Sequence, residues 1–213
     1  MSTIVTVIFA SLATVSFLFF YWRHLHEDYI LQKIFQSGFY QVVAALLGAF
    51  VFHLISKNTH QTAIYRPQQL WFWGLVVGLI ISFFIIKWKF KFRMNEVFEA
   101  STAGFLYAMF FVLSSQLFIN FSLSFIISIA FIVLLIVIFH YLKANYKKFG
   151  WYHSGKVGFA SFVTLGILFI TRAVFAIFLR PNMISFVGRI DGLISVTLAF
   201  VIFLQLYNLS RKK

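Results

Sequence analysis

The run FSLSFIISIAFIVLLIVIFHYL, residues 121–142, contains no Asp, Glu, Lys or Arg. An α-helix rises about 1.5 Å per residue, so a helix over this run would be about 33 Å long. The hydrocarbon core of a bilayer is about 30 Å thick, and a helix satisfies its backbone groups internally there. The run therefore predicts a helix that crosses a membrane.

Runs of the same kind lie on both sides of it. The predicted spans are 4–22, 37–56, 69–87, 96–118, 121–142, 157–179 and 188–209. In the whole chain 62% of the residues are hydrophobic and 11% are charged, whereas a soluble domain is about 45–50% apolar. We therefore expect an all-α fold: a polytopic membrane helical bundle of about seven transmembrane helices in one domain, residues 1–213. The lack of cysteine excludes disulfides and thiolate sites.

Three connections between the spans carry local signals. The fourth and fifth spans are separated by INFS, residues 119–122, which predicts a tight helical hairpin. In HLHEDYILQKIFQSGF, residues 24–39, apolar side chains recur near helical spacing, which predicts an interfacial amphipathic helix before the second span. The segment RPNMISFVGRID, residues 180–191, leaves room for a short helix on the outer surface.

Lys and Arg concentrate on one side of the predicted membrane. The residues of that side are Arg23, Lys33, Lys87, Lys89, Lys91, Arg93, Lys143, Lys147, Lys148, Lys156, Arg211, Lys212 and Lys213. Basic loops are typically cytoplasmic, so the first span starts outside and the chain ends inside, which is an N-out/C-in layout. The net charge of +13 then anchors the inner face beside anionic lipid, and we expect no nucleic acid as a partner.

Arg172 interrupts an otherwise apolar run, TLGILFITRAVFAIFLRP, residues 164–181. A charge inside a span costs at least about 2.5–3.5 kcal/mol and usually faces a polar interior. At 100° per residue one side of this helix is polar and the other is apolar. The polar side holds Gly158, Ser161, Thr164, Thr171 and Arg172, and the apolar side holds Phe159, Val163, Ile170 and Ile177. Two interpretations stay open: Arg172 faces a hydrated cavity inside the bundle, or it snorkels to the outer surface.

A guanidinium group in the outer leaflet would pair well with phosphate or carboxylate. The commonest phosphate within reach of the lipid belongs to a phospholipid headgroup. Arg180 and Arg66 lie on the same predicted side, either as further contacts to such a headgroup or as charges on the rim.

Glu96 and Glu99 open the fourth span after Asn95, a good N-cap residue, and acidic groups in a first turn complement the helix dipole. For Glu96, this favourable interaction with the helix dipole is a sufficient explanation. Glu99 lies one turn deeper, and with Ser101 and Thr102 it is a candidate for lining a cavity.

Small and aromatic residues mark the start of the third span, WFWGLVVGL, residues 71–79. Gly74 and Gly78 form a G-x-x-x-G pattern, which predicts close packing of two helices. Trp71 and Trp73 stand where an aromatic belt is expected at the outer interface.

The histidines do not combine into a metal or haem site. His53 and His140 end spans that run in opposite directions, and His24 and His26 face different ways on a helix. We therefore predict no metal ligand.

Several stretches together resemble prolipoprotein diacylglyceryl transferase, a seven-span enzyme of the bacterial inner membrane with the same N-out/C-in layout. They include the segment YWRHLHEDYILQKIFQSGFYQVVAALLGAFVFHLI after the first span and RPQQLWFWGLVVGLIISFFIIKWKFKF around the third. TRAVFAIFLRPN resembles the family's R-F-x-x-E-x-x-R-x-P-D stretch, and DGLISVTLAFV is similar to its last span.

The resemblance implies an activity and its partners. Phosphatidylglycerol would give a diacylglyceryl group to the thiol of a lipobox cysteine in the signal peptide of a secreted prolipoprotein, with no metal or organic cofactor. Arg172 would be the catalytic arginine that holds the phosphate. Apart from the resemblance, our candidates for the substrate site around it are Arg180, Arg66, Trp73, Gly74, Glu99 and Thr171, and we expect a protein of the bacterial plasma membrane.

The chain also departs from the pattern of that family. Trp73–Gly74 stands where the family has H-G-G, the fourth span holds no arginine, and Ala176 replaces a glutamate. A second function therefore stays open, in which the same scaffold is a catalytically inactive membrane protein that binds lipid or a partner.

Overall fold

Seven α-helices make up most of the structure, a computed structural model that describes residues 2–58, 70–149, 152, 156–178 and 186–211. The helices are α1 (Ser2–Leu25), α2 (Leu31–Asn58), α3 (Leu70–Phe90), α4 (Met94–Ile119), α5 (Leu123–Asn145), α6 (Phe159–Phe178) and α7 (Phe186–Arg211). A short 3-10 helix, Tyr146–Lys148, follows α5. These described residues contain no β-strand, which confirms the all-helical fold.

Six of the seven helices are long and apolar enough to cross a membrane over their described residues. In α6 the corresponding apolar stretch is shorter, Phe159–Val174. The chain is therefore a multi-pass helical bundle of the membrane type, as the sequence predicts. The seventh span and the N-out/C-in layout stay predictions.

The predicted hairpin between the fourth and fifth spans is confirmed. The chain leaves α4 at Ile119 and enters α5 at Leu123. The amide of Asn120 still donates to the carbonyl oxygen of Gln116 (2.8 Å), and Ser122 then adopts an extended conformation that reverses the chain.

Glycines bring α2 and α3 into backbone contact. A Cβ atom placed on Gly74 would lie 2.3 Å from the carbonyl oxygen of Gly48, and one on Gly78 would lie 2.1 Å from that of Ala44. No side chain fits at such distances, so only glycine allows the two helices to approach this closely. The predicted packing role of the G-x-x-x-G pattern is confirmed.

The helices form an open series rather than a closed ring. The most extensive contacts join α2 to α3, α1 to α4, and α6 to α7, while α4 also contacts α5 and α6. Helices α3 and α7 therefore lie at the two ends of the series. They face each other across a groove whose floor is formed by α4 and α6.

The two ends of the bundle differ in charge. At the end where α1, α3 and α5 finish lie most of the described Lys and Arg residues, and we call it the basic end. These residues are Arg23, Lys33, Lys87, Lys89, Lys91, Arg93, Lys143, Lys147, Lys148, Lys156 and Arg211. Arg172 lies toward the opposite end, where α6 finishes and α3 and α7 begin.

Two predictions about helix boundaries are wrong. The predicted interfacial helix does not exist as a separate element, because α2 begins at Leu31 and continues into the second span without a break. In the segment 180–191, which leaves room for a short surface helix, the part from Phe186 to Asp191 belongs to α7, and residues 180–185 lie outside the described residues. Asn95 lies inside α4, whose N-cap position is Arg93.

The prediction that α6 has a polar buried side and an apolar exposed side is confirmed except at the start of the helix. Ser161 and Thr164 are fully buried, and Ile170 on the other side is 43% exposed. Phe159 was predicted to face lipid but is 1% exposed, because Tyr152 folds over it with the ring centroids 4.4 Å apart. The side chain of Ile177 lies outside the described residues.

Candidate functional site

Arg172 points into the bundle and forms an ion pair with Asp191 of α7. The guanidinium Nε donates to Oδ1 of Asp191 at 3.1 Å, and Nη2 lies 3.1 Å from Oδ1 and 3.4 Å from Oδ2. The Asp191 side chain is 7% exposed and that of Arg172 is 24% exposed. The charge that interrupts the sixth span is thus neutralised internally, by one of only five acidic residues in the chain.

Two aromatic residues of α3 complete this site. The indole Nε1 of Trp73 donates to Oδ1 of Asp191 at 2.6 Å. The guanidinium carbon of Arg172 lies 4.1 Å from the ring centroid of Phe72 and 5.3 Å from that of Trp73, which are cation–π distances. We call these four residues, Phe72, Trp73, Arg172 and Asp191, the arginine cluster.

The cluster joins three helices near their ends. Trp73 lies in the first turn of α3, and Asp191 lies in the second turn of α7, while Arg172 approaches the end of α6. Removing one partner of a buried ion pair typically costs about 3–5 kcal/mol, because the other charge is left without compensation. The cluster therefore holds α3, α6 and α7 together at the end of the groove.

An apolar groove of about 220 Å³ extends from the cluster between α3 and α7. Leu79 of α3 and Leu198 of α7 form its sides, and Phe105 of α4 and Leu165 of α6 lie at its floor. The ring of Phe169, also in the lining, stacks on Trp73 with the centroids 6.2 Å apart. The groove thus lies beside the arginine cluster, which it contacts through Phe169, and it continues along α3, α6 and α7 away from the cluster.

The structure brings together only some of the predicted site residues. Arg172 and Trp73 share the arginine cluster, and Thr171 is half-buried beside Arg172 in the chain. Gly74 follows Trp73 but contacts α2. Arg66 and Arg180 lie outside the described residues.

Glu99 lies at the basic end, away from Arg172. Its side chain is 6% exposed, and its Oε2 accepts a hydrogen bond from the amide of Gly158 at 2.8 Å. Its Oε1 is 3.6 Å from Nζ of Lys143. Gly158 has a positive φ of 106°, which a residue with a side chain rarely adopts, so the carboxylate holds a special turn at the start of α6.

Glu99 is one of the residues that line a polar cavity of about 320 Å³. Glu96 also lines it, and pairs with Arg93 at 3.3 Å while accepting the hydroxyl of Tyr29 at 2.5 Å. Burial raises the pKa of Tyr29 above its ordinary value, and the hydrogen bond to Glu96 acts in the same direction. Ser101 and Thr102 line the apolar groove rather than this cavity.

Histidine side chains lie close to the cavity. The Nδ1 of His24 is 2.7 Å from the carbonyl oxygen of Phe20, which can only accept, so Nδ1 carries the proton. The Nε2 of His140 lies 3.0 Å from the hydroxyl of Tyr107. Among the described residues no group of three or more His, Cys, Asp or Glu side chains is arranged to hold a metal ion.

Asp191 is the residue of the candidate site that sequence reasoning missed. One signal was available, since a buried arginine needs a partner and the chain offers five acidic residues. Asp191 fell inside the predicted last span, residues 188–209, but the sequence did not show that its carboxylate meets Arg172. His24 and Lys143 were missed for a different reason, because only the fold brings α1 and α5 to the same cavity.

Comparison of the chain with known protein families, with curated proteins and with solved structures finds no match.

Proposed function

We propose that this protein binds a membrane phospholipid from the side, with an acyl chain in the apolar groove and the headgroup at the arginine cluster. The observation that carries the proposal is the position of the cluster at one end of the groove. A polar cluster at the end of a long apolar groove is complementary to a lipid, which has a polar headgroup and an apolar acyl chain.

The groove suits an acyl chain because its lining is almost entirely apolar and its sides belong to membrane-type helices. The lining of α3 extends from Val76 to Phe83, which corresponds to about 10 Å along the helix. Since α3 and α7 do not pack closely on each other, the groove opens toward the lipid between them.

The arginine cluster suits a phosphate-bearing headgroup for two reasons. Guanidinium binds phosphate oxygens through directed hydrogen bonds, and the side chain of Arg172 is partly exposed. Asp191 and Trp73 hold the guanidinium in a fixed orientation, so that its binding geometry is set before a lipid arrives.

The proposal places the cluster in the outer leaflet. The excess of Lys and Arg at the basic end favours that end as cytoplasmic, with seven spans and the layout N-out/C-in. In a bacterium this would be the plasma membrane, and the phospholipid would be phosphatidylglycerol or another lipid of that leaflet.

A second candidate function is diacylglyceryl transfer from phosphatidylglycerol to a lipobox cysteine. One observation favours it: three of the stretches on which the family resemblance rests, those with Trp73, Arg172 and Asp191, meet at the cluster. In that reaction the cysteine sulfur bonds to the terminal carbon of the diacylglyceryl group as the carbon–oxygen bond to phosphate breaks. Glycerol phosphate leaves beside Arg172, and the thiol proton goes to a base, for which Asp191 is the carboxylate at the site.

The groove is tested by filling it. We expect Leu165→Trp to reduce the phospholipid that copurifies with the protein, measured by native mass spectrometry, because the larger ring occupies the groove. Ile170→Trp is the matched control, since Ile170 lies on the same helix and faces away. Equal lipid occupancy in both variants would refute binding in the groove.

The transferase is tested separately. Purified protein is incubated with labelled phosphatidylglycerol and a lipobox peptide, with membranes lacking the protein as the control. Transfer that is lost in Arg172→Ala would establish the activity. Absence of transfer together with lipid bound in the groove would leave the chain as a lipid-binding protein without this catalysis.

A further inference from the structure

The cavity at the basic end is a second site, which we call the basic-end cavity. It measures about 320 Å³ and shares no lining residue with the apolar groove. Helices α1, α4 and α5 contribute to its walls. Unlike the groove, it is lined by acidic, basic and imidazole groups, so a lipid tail is not its natural occupant.

The acidic groups deepest in the cavity are already compensated. Glu99 is bound by the amide of Gly158 and lies near the ammonium group of Lys143. Glu96 is bound by Arg93 and Tyr29. These contacts fix the walls of the cavity. The charged residues on its rim are therefore the groups that can select a ligand.

Two oppositely charged residues on the rim are not compensated by each other or by neighbours. Asp28 lies on the turn after α1, and its carboxylate makes no hydrogen bond or ion pair with another described residue. Lys147 lies in the 3-10 helix after α5, and its ammonium group is 6.0 Å from the ring centroid of Tyr146 but makes no hydrogen bond or ion pair with another described residue. The cavity therefore presents a negative wall at α1 and a positive wall at α5.

His24 adds a hydrogen-bond acceptor on the negative wall. Its Nδ1 proton is donated to the carbonyl oxygen of Phe20, so the neutral ring offers a lone pair at Nε2. That Nε2 is buried and has no partner among the described residues, although His24 lines the cavity. A buried polar atom without a partner is costly, and a donor from a ligand would satisfy it only after the ring turns to expose Nε2 to the cavity.

We propose that the basic-end cavity binds a zwitterionic group, a ligand with an ammonium at one end and an anion such as phosphate at the other. The ammonium lies at Asp28 on the negative wall, and the anion lies at Lys147. The same chemistry occurs in the phosphoethanolamine headgroup of a membrane lipid and in small soluble zwitterions. The inference does not depend on the proposed function of the groove.

The test uses the full chain in nanodiscs of phosphatidylglycerol, a lipid without an ammonium group. In one arm soluble phosphoethanolamine is titrated in by calorimetry. In the other arm phosphatidylethanolamine is added to the nanodiscs, and bound lipid is counted by native mass spectrometry. The variants are Asp28→Asn and Lys147→Gln. Their matched controls are Glu27→Gln and Lys148→Gln, exposed neighbours that carry the same charges but do not line the cavity.

We expect saturable binding in at least one arm. Each cavity variant should weaken it about tenfold, the typical effect of losing one charge-assisted hydrogen bond, while the controls change it little. Binding in the soluble arm identifies a free zwitterion, and binding in the lipid arm alone identifies a headgroup. Absence of saturable binding in both arms, equal effects of the controls, or an effect of only one of the two cavity variants would overturn the proposal.

Discussion

The indole Nε1 of Trp73 donates a hydrogen bond to Oδ1 of Asp191 at 2.6 Å, which links α3 to α7 across the end of the groove. The same carboxylate binds Arg172 of α6. Asp191 therefore connects its own helix, α7, both to the preceding helix α6 and to α3, which is more than 100 residues earlier in the chain. Its replacement should affect the stability of the bundle as well as the binding of lipid.

We predict that Asp191→Asn destabilises the protein by about 3–5 kcal/mol, because Arg172 keeps its charge but loses its ion pair. The loss should appear as a lower midpoint of thermal unfolding in detergent. The double variant Arg172→Gln, Asp191→Asn has no unpaired charge, and it should recover much of the stability. If the double variant is instead less stable than Asp191→Asn, loss of the ion pair does not explain the destabilisation by Asp191→Asn.

We predict that Gly74→Ala destabilises the α2–α3 contact by about 1–3 kcal/mol, the typical cost of overpacking a tight site. The new methyl group would meet the backbone oxygen of Gly48, which cannot move without shifting α2. Gly166→Ala is the comparison, because its nearest neighbour is the ring of Phe203, a side chain that can rotate away. Thermal unfolding of the two variants should show the larger loss for Gly74→Ala, and similar losses would contradict the packing argument.

The interaction between Tyr29 and Glu96 predicts a pH dependence. The pKa of Tyr29 is raised in the folded protein by burial and by its hydrogen bond to the carboxylate. The protonated hydroxyl therefore contributes its stability below the ordinary tyrosine pKa, about 10, and this contribution is lost as the pH rises through the higher folded value.

Tyr29→Phe tests this dependence by thermal unfolding at a series of pH values. At pH 8 the variant should be less stable than the parent protein. Above pH 10 the difference should shrink, since the parent loses the contribution that the variant never had. A difference that stays constant over this range would mean that the hydroxyl proton is not involved.

Glu99 is predicted to hold the start of α6 in place. Glu99→Ala removes the acceptor of the Gly158 amide and the partner of Lys143. Hydrogen exchange at the start of α6 should then become faster. Glu99→Gln keeps an acceptor oxygen for the amide and should have a smaller effect. Unchanged exchange in Glu99→Ala would show that packing alone fixes this turn.

The sequence predicted the helices well because the thickness of the bilayer restricts their length. Each predicted span lies within one of the observed helices or overlaps most of it, as for residues 96–118 inside α4. The boundaries were less accurate, since the hydrophobic pattern does not show where a helix continues beyond the hydrocarbon. For this reason the second helix begins at Leu31, earlier than predicted.

The candidate site was only half predictable. The 100° spacing correctly placed Ser161, Thr164 and Arg172 on the inner side of α6. Periodicity shows which side of a helix is buried, but it does not show which helix lies opposite. The partner of Arg172, and the meeting of His24 with Lys143, depend on the order in which the helices pack, which no local pattern encodes.

The open series of helices has a consequence for how a ligand exchanges with the surrounding bilayer. Helices α2 and α3 are joined by backbone contact at Gly48 and Gly74, so they should move as one rigid pair. A small rotation of this pair would break the Trp73–Asp191 bond and widen the gap to α7 without unpacking α1 from α4. Such collective motions take microseconds to milliseconds, so we expect lipid turnover on that timescale, far faster than global unfolding. Spin labels on α3 and α7 would show two interlabel distances if the α2–α3 pair rotates in this way. A single narrow distance would show that it does not.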